Sequence, residues 1–451
     1  MSEPINWKLA TAETVSNLSR LIQAETVNPP GNELPAILIV KDILEQAGFP
    51  NEAFAIVESA PNRANLVARL KGDGTQRPLL LSGHVDVAPV DRAGWSHDPF
   101  GGEVINGEVW GRGALDMKGF FSMYLEVFLS LFRQKIPLKR DVLLAAIADE
   151  EYGFTHGSKF LVEQHRELID AQYGFTEGGA LTIVLGNTRF YPIQVAEKTF
   201  CQLRVRVSGE VGHGSIPPKA SAIFRLAQII EKLRHTNHLP VHFTPTTLKM
   251  VESARSQFGF PMCVLLSWLK SPTVMDLFLG SAKGYSRDMI AALVTNTVFI
   301  NKLQAGDEMT PTPSIAEADI ICGLVPGQTS EQVLQELQQI IVPEAEIEII
   351  RSIRGAEFSA ETSLYRLLEN RTRQMDPGGM VLPMLMPGIT DASQYQNAGI
   401  TIYGFTPGIL PPEISIMQLA HGHDERMPIS FIETGLPVLW DVVNEFCGKG
   451  L

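Results

Sequence analysis

The sequence predicts an α/β protein whose central mixed, largely parallel sheet, with helices on both faces, is interrupted by a ferredoxin-like α+β domain. Three observations carry that expectation. Short apolar runs alternate with amphipathic helical stretches through residues 1–195, the pattern of parallel strands joined by helices. Through 196–352 the strands instead alternate polar and apolar residues, as in an antiparallel sheet with one wet face. Over 353–451 the first texture returns, so one α/β domain is split by an insert.

Taken in order, residues 6–50 are predicted helical. Val15, Leu18, Leu21 and Ile22 recur at helical spacing, Asn28-Pro29-Pro30-Gly31 breaks the run, and a second stretch covers 34–47. Residues 65–70 and 78–81 are short apolar strands around the turn Lys71-Gly72-Asp73-Gly74. A helix over 119–132, a buried strand over 141–148, a helix over 157–164 and a strand over 173–175 complete the first part. The insert opens with the alternating strand TFCQLRVRV and a helix over 221–233. Strands over 297–303 and 315–321, a helix over 330–340 and a strand over 346–350 give the β-α-β-β-α-β order of a split sandwich. Between its first helix and second strand lies a helical insertion, 237–292, containing PMCVLLSWLKSP and TVMDLFLG.

Composition narrows the function. The 451-residue chain is 45% hydrophobic and 19% charged, enough apolar material for large cores. A net charge of −13 without a basic run argues against nucleic-acid or anionic-membrane partners. The amino terminus, MSEPINWKLATAE, lacks the basic and apolar regions of a signal peptide. Lys, Pro and Asp interrupt the longest apolar stretch, so no membrane span is expected. Cys201, Cys263, Cys322 and Cys447 lie far apart without CxxC spacing, which predicts reduced thiols in a cytoplasmic protein.

Five segments hold candidate metal ligands. In LLLSGHVDVAP, His84 and Asp86 are two apart and share a face of an extended backbone, where a carboxylate can orient a ligating imidazole. A core histidine paired with an aspartate is the plainer reading. In GRGALDMKG, glycines flank Asp116, which alone reads as a turn aspartate; no GK[ST] follows to make a phosphate loop. In LLAAIADEEYG, an apolar strand runs into Asp149, Glu150 and Glu151. Such packing costs desolvation and repulsion unless a cation offsets it, or unless the acids sit in a solvated loop. YGFTEGG offers Glu177, and LAHGHDERM offers His421, His423, Asp424 and Glu425. Oxygen and nitrogen donors without sulfur suit zinc, manganese or cobalt. Two histidines and three carboxylates, one of them bridging, would complete a two-metal site.

The ordered run GHVDVAP, DPF, GRGALDMKG, DEEYG, EGG, GHGSIPP and HGHDERM resembles the di-zinc hydrolases that include aminoacylase, carboxypeptidase G and succinyl-diaminopimelate desuccinylase. The long middle segment and the EGG motif resemble most the branch of carboxypeptidase S and the N-acyl-amino-acid hydrolases. The resemblance covers about residues 10–445. It implies two Zn2+ per chain, with Co2+ or Mn2+ as substitutes, in an α/β catalytic domain carrying a lid domain. His84 and Glu177 would hold one metal, Glu151 and a C-terminal histidine the other, and Asp116 would bridge. Glu150 matches the general base and Asp86 the carboxylate behind His84. The family places its last ligand four residues before the glutamate of the closing motif, which selects His421 over His423 with Glu425 as the matching acid. His213 matches a lid histidine that polarises the scissile carbonyl, often from the partner subunit of a homodimer; as a bare feature it reads as a loop histidine.

The implied reaction is hydrolysis of a small-molecule amide-type substrate. Two cations lower the pKa of a water toward about 7 and Glu150 takes its proton, then passes it to the departing nitrogen. Two departures bear on substrate. Gly323 and Ser393 stand where the family has arginines associated with substrate carboxylates, and Arg287, Arg351 and Arg354 are candidate replacements. The expected preference is therefore for an uncharged, apolar amide, anilide, carbamate or urea over a free N-acyl-amino acid. A dipeptidase, a carboxypeptidase and a catalytically silent ligand-binding relative are the alternatives. Phe258, Phe260, Trp268, Leu277 and Phe278 would line an apolar approach or form the core of an enlarged lid.

Overall fold

A computed structural model describes residues 4–185, 188–213, 215–216, 218–236, 238–306, 312–341 and 345–449. Contacts divide the chain into two compact units. The first comprises Met1–Val195, Phe358–Pro383 and Thr390–Leu451; the second comprises Ala196–Glu357 and Met384–Ile389. The return of Met384–Ile389 to the second unit has no signal in the alternation of the sequence.

The first unit is built on a mixed sheet. Its middle strands Val142–Ile147, Leu79–His84, Tyr173–Thr176 and Thr401–Gly404 are parallel neighbours. Antiparallel strands flank them: Arg63–Leu70 and Phe54–Ala60 on one side, Thr188–Glu197 on the other. The parallel strands VLLAAI and LLLSGH are buried at every position, which is why they read as continuous apolar runs rather than alternating ones. Helix Lys118–Arg133 packs on Leu79–His84 and against helices Trp7–Gln23 and Ile429–Cys447; its burial on all sides follows from that enclosure. Parallel register sets the site. His84 pairs with Ile147 and Leu81 with Phe175, so the segments that follow these strands emerge side by side at the carboxyl edge of the sheet. That edge is where open α/β sheets bind ligands.

The second unit is a four-stranded antiparallel sheet in the order Thr297–Ala305, Ile315–Leu324, Thr199–Ser208, Ala345–Ile353. Leu203, Val205, Leu226, Ile320 and Val333 form its core beneath helices Ala222–His235 and Ser330–Gln338. Side-chain oxygens of Ser221 and Thr329 cap those helices, satisfying amides that have no intrahelical partner. Among its described residues the insertion forms helices Pro245–Gln257, Met262–Trp268, Pro272–Ser281 and Tyr285–Val294. Cys201, Cys322 and Cys447 are buried free thiols and Cys263 is half-buried. Among the described residues no single helix is long and apolar enough to cross a membrane.

Candidate metal centre

Four loops of the first unit converge at the carboxyl edge of the sheet. His84 ends its strand, fully buried. Asp149, Glu150 and Glu151 follow Val142–Ile147, and Glu177 follows Tyr173–Thr176. Gly178 after it adopts a left-handed φ of 98°, and a Cβ on Gly179 would lie 2.3 Å from the Gly404 carbonyl oxygen, so the EGG glycines let backbones close behind the acid. Asp116 comes from the loop before Lys118–Arg133, and His421 from the loop before Arg426–Pro428.

Asp116 faces both histidines. Its Oδ1 lies 3.1 Å from His84 Nε2 and its Oδ2 lies 3.1 Å from His421 Nε2. Glu177 Oε1 is 3.6 Å from His84 Nε2, and Glu151 Oε2 is 2.9 Å from His421 Nε2. His84, Asp116 and Glu177 thus form one cluster of potential ligand atoms, and Asp116, Glu151 and His421 a second, with Asp116 in both. Glu150 Oε2 stands 3.9 Å from His84 Nε2. His421 has a left-handed φ of 60°, uncommon outside glycine, and its side chain is 57% exposed, so it closes the open side of the cluster. His423 is placed elsewhere, its ring beside Gly94.

Buried carboxylates that are not in either cluster hold these loops. Asp86 Oδ1 accepts the Glu150 amide at 3.2 Å, and Oδ2 accepts the Glu151 amide at 3.2 Å and Asn28 Nδ2 at 2.9 Å. Its relation to His84 differs from the expectation. His84 Nδ1 lies 3.0 Å from the backbone carbonyl of Asp86 and 3.6 Å from its carboxylate, because the carboxylate is turned toward the Glu150 and Glu151 amides. A carbonyl can only accept, so Nδ1 carries a proton, and Nε2 is the nitrogen turned toward the cluster. Glu425 Oε1 accepts the amides of Gly113, Leu115 and Asp116, at 3.1, 2.8 and 3.0 Å, while Arg112 pairs with Oε2 at 2.6 Å. Asp149, left-handed at φ 65°, accepts from Asn28, Arg63 and the His156 amide. Arg63 in turn pairs with buried Glu33.

The electrostatics call for cations. Burial and the neighbouring carboxylate of Asp116 push Glu177 up to about 8. Burial, with Glu177, raises Glu150 well above the usual range, and burial raises Glu151. Asp391, at the start of helix Ala392–Asn397, is raised to about 7 by burial; Ser158 donates to one of its oxygens. Hydrogen bonds to Asp116 and Glu151 lift His421 to about 10. Burial opposes charge on His84, yet Glu177, Asp116 and Asp86 outweigh it and raise the group. A site whose acids repel one another while its histidines retain protons fits divalent cations that would replace those protons.

Other expected residues are not members of these clusters. His213 is exposed in the second unit, its Nδ1 2.7 Å from Ser215 Oγ and 3.3 Å from the Ser215 amide. Ser393 is buried with its hydroxyl on the Thr390 carbonyl. A Cβ at Gly323 would sit 3.1 Å from Lys198 Cδ, so a lysine stem runs past that position. In the insertion Phe278 packs on Met275, Leu279, Ala291 and Val294, while Phe260, Trp268 and Leu277 face solvent. Asn28, Arg63, Arg112 and Asp391 belong to the site's framework and carry no spacing signal. Asn28 sits in the NPPG break, and Asp391 precedes Ser393 by two residues in TDAS.

The sequence model of the peptidase family M20/M25/M40 matches residues 80–445. The chain is 29% identical over 383 residues to the probable carboxypeptidase S-like 2 of Dictyostelium discoideum, covering 81% of this chain and 71% of that protein. It is 27% identical over 400 residues to the N-fatty-acyl-amino acid synthase/hydrolase PM20D1 of Bos taurus, covering 86% and 78%. Among solved structures, the dipeptidase Dug1p of Saccharomyces cerevisiae matches with a TM-score of 0.71 at 15% identity, covering 98% of this chain and 97% of that one, a likeness of fold.

Proposed function

This chain belongs to peptidase family M20/M25/M40 and is a metal-dependent hydrolase of amide-type bonds, and on that premise we propose that Asp116 bridges two zinc ions, one held with His84 and Glu177, the other with Glu151 and His421. The observation that carries the reading is that the two oxygens of Asp116 face the two histidines at equal distance. Bound there, the cations would supply an acidified water and Lewis-acid polarisation of a carbonyl. Nitrogen and oxygen donors without thiolate favour zinc, with cobalt or manganese able to substitute.

Glu150 is the proton carrier in this reading. Its side chain is 11% exposed, and burial, with Glu177 beside it, raises its affinity for a proton, which suits it to accept one and return it to the departing nitrogen. Asp86 positions it through its backbone amide. Asp149, the neighbouring acid, is fully engaged by Asn28, Arg63 and the His156 amide. His213 receives the Ser215 amide on Nδ1, which puts its proton on Nε2, where it can donate to the scissile carbonyl oxygen.

The substrate we propose is an uncharged, apolar amide, anilide, carbamate or urea. Arginine is the side chain best shaped for a substrate carboxylate. In the first unit Arg63 serves Glu33 and Asp149, Arg112 serves Glu425, and the Lys118 ammonium is held by the carbonyls of Leu21 and Ala24. An apolar acyl group also agrees with the fatty-acyl relative. Four unpaired thiols support a reducing, cytoplasmic setting, and the two edges of the open sheet in the second unit support a homodimer through that unit. The test is kcat/KM for an N-acyl-amino acid and for its carboxamide, with metal content measured in wild type and Asp116→Ala. Two metals per chain and a preference for the carboxamide are expected. Preference for the free acid overturns the substrate reading, and an active, fully metallated Asp116→Ala overturns the site.

A further inference from the structure

We propose that helices Met262–Trp268 and Pro272–Ser281 seat the protein on an anionic lipid surface. This lipid contact does not depend on the reaction at the metal centre. Between Phe258 and Gly280 the only charged residues are Lys270 and Asp276. The hairpin is apolar on two sides. One side packs inward, with Met275 and Leu279 at 2% and 1% exposure. The other faces water, with Phe260 at 85%, Leu277 at 72% and Trp268 at 63%, beside exposed Met262 and Leu265. A concentrated outward apolar patch is costly in water and marks a surface that something covers.

Shape and charge identify the occupant. Together the two helices have the apolar length and composition of a span, but they bend by 107° at the break between them. Each alone is too short for a bilayer core of about 30 Å at about 1.5 Å per residue. Such an element lies in the interface rather than crossing it, and exposed tryptophan and phenylalanine suit that depth. The chain as a whole carries −13, yet residues 245–294 hold five lysines and arginines against three acids, a local +2. That sign attracts anionic headgroups. It also disfavours a second copy as the occupant, since a two-fold contact would set the same net positive segment against itself.

Vesicle flotation of the metal-loaded protein tests the assignment. Wild type should float with phosphatidylcholine–phosphatidylglycerol vesicles, less with phosphatidylcholine alone, and less as salt is raised. Lipids brominated on their acyl chains should quench its tryptophan fluorescence. Trp268→Ser with Leu277→Ser should lower vesicle partition about 100-fold, at roughly tenfold for each large apolar side chain, with metal content and unfolding temperature retained. If that pair fails to fold, Lys249→Glu with Lys283→Glu should abolish the preference for phosphatidylglycerol. No flotation of wild type, or flotation unchanged by both pairs, overturns the proposal. So does a concentration-dependent dimer that the Trp268/Leu277 pair dissolves without any lipid binding, which would make the patch a contact between copies.

Discussion

Replacing Asp86 by asparagine changes one atom in the framework of the site. The carboxylate is fully buried and stays ionised: burial opposes its charge, but His84, Asn28 and the Glu151 amide hold it below its usual range. Oδ1 takes the Glu150 amide, and Oδ2 takes the Glu151 amide and Asn28. An asparagine can offer an acceptor in only one of these directions. Flipped one way its NH2 meets the Glu150 N–H; flipped the other way it meets the Glu151 N–H and the Asn28 NH2. Either choice leaves a buried donor without an acceptor, at about 1–3 kcal/mol. The remaining bonds lose their charge assistance, for roughly 1 kcal/mol more. The expected loss is about 2–4 kcal/mol in unfolding of the first unit, read from denaturant titration. Glu150 and Glu151 shift with their backbone, so metal affinity should fall about 10–100-fold, as for other partners behind a ligand. A variant within about 0.5 kcal/mol of wild type, with metal affinity unchanged, would refute the claim that Asp86 acts by holding these amides.

Glu150→Gln should keep both metals and lose about 10²–10⁴-fold in kcat, since the amide fits but accepts no proton; near-normal turnover would move the base role elsewhere. His421→Ala should lower metal affinity, whereas His423→Ala, at a ring packed beside Gly94, should leave it intact; isothermal titration of the metal distinguishes them. Chelation should lower the unfolding temperature of wild type but not of Asp116→Ala, because a ligand at about a thousandfold its dissociation constant adds about 4 kcal/mol. Lys198 gives a pH signature in the second unit. Burial pushes its ammonium down to about 7 from the 10.5 of the unfolded chain. Between those values the unfolded state holds the extra proton, so stability rises with pH across that window. Lys198→Met should flatten the rise in urea titrations between pH 7 and pH 10.

Much of this was legible because the chemistry sits beside strong local signals. LLLSGH and VLLAAI are buried apolar strands, and acids or a histidine at their carboxyl ends have few structural explanations. The alternation in TFCQLRVRV likewise matches a strand buried on one face. The supports were not legible. Asn28 donates to Asp86 and Asp149 across 58 and 121 residues, and Glu425 reaches the Asp116 amide across 309. Such bonds depend on where the fold brings loops together, and no residue spacing records them. Glu425 shows the difference within one motif. The closing motif offers it beside His421 as a candidate donor, and in the fold it is a backbone anchor whose two oxygens are taken by three amides and Arg112.

Asp86 and Glu425 solve the same problem on two loops. The residues that carry Glu150, Glu151 and Asp116 leave the ladders and helices, so their amides need acceptors from elsewhere. Water would satisfy them at the expense of precise placement. A buried carboxylate satisfies two or three at once in fixed positions, which fixes the side chains of those same residues. The cost is negative charge: each anchor adds to a cluster that already contains Asp116, Glu150, Glu151 and Glu177, and burial together with Asp116 raises Glu425 as it does Glu177. Arg112 and Arg63 offset the anchors locally but point away from the ligand atoms, toward Glu425 and toward Glu33 and Asp149. The uncompensated charge is thereby concentrated between His84 and His421. The same anchoring that orders the loops therefore creates the affinity for divalent cations.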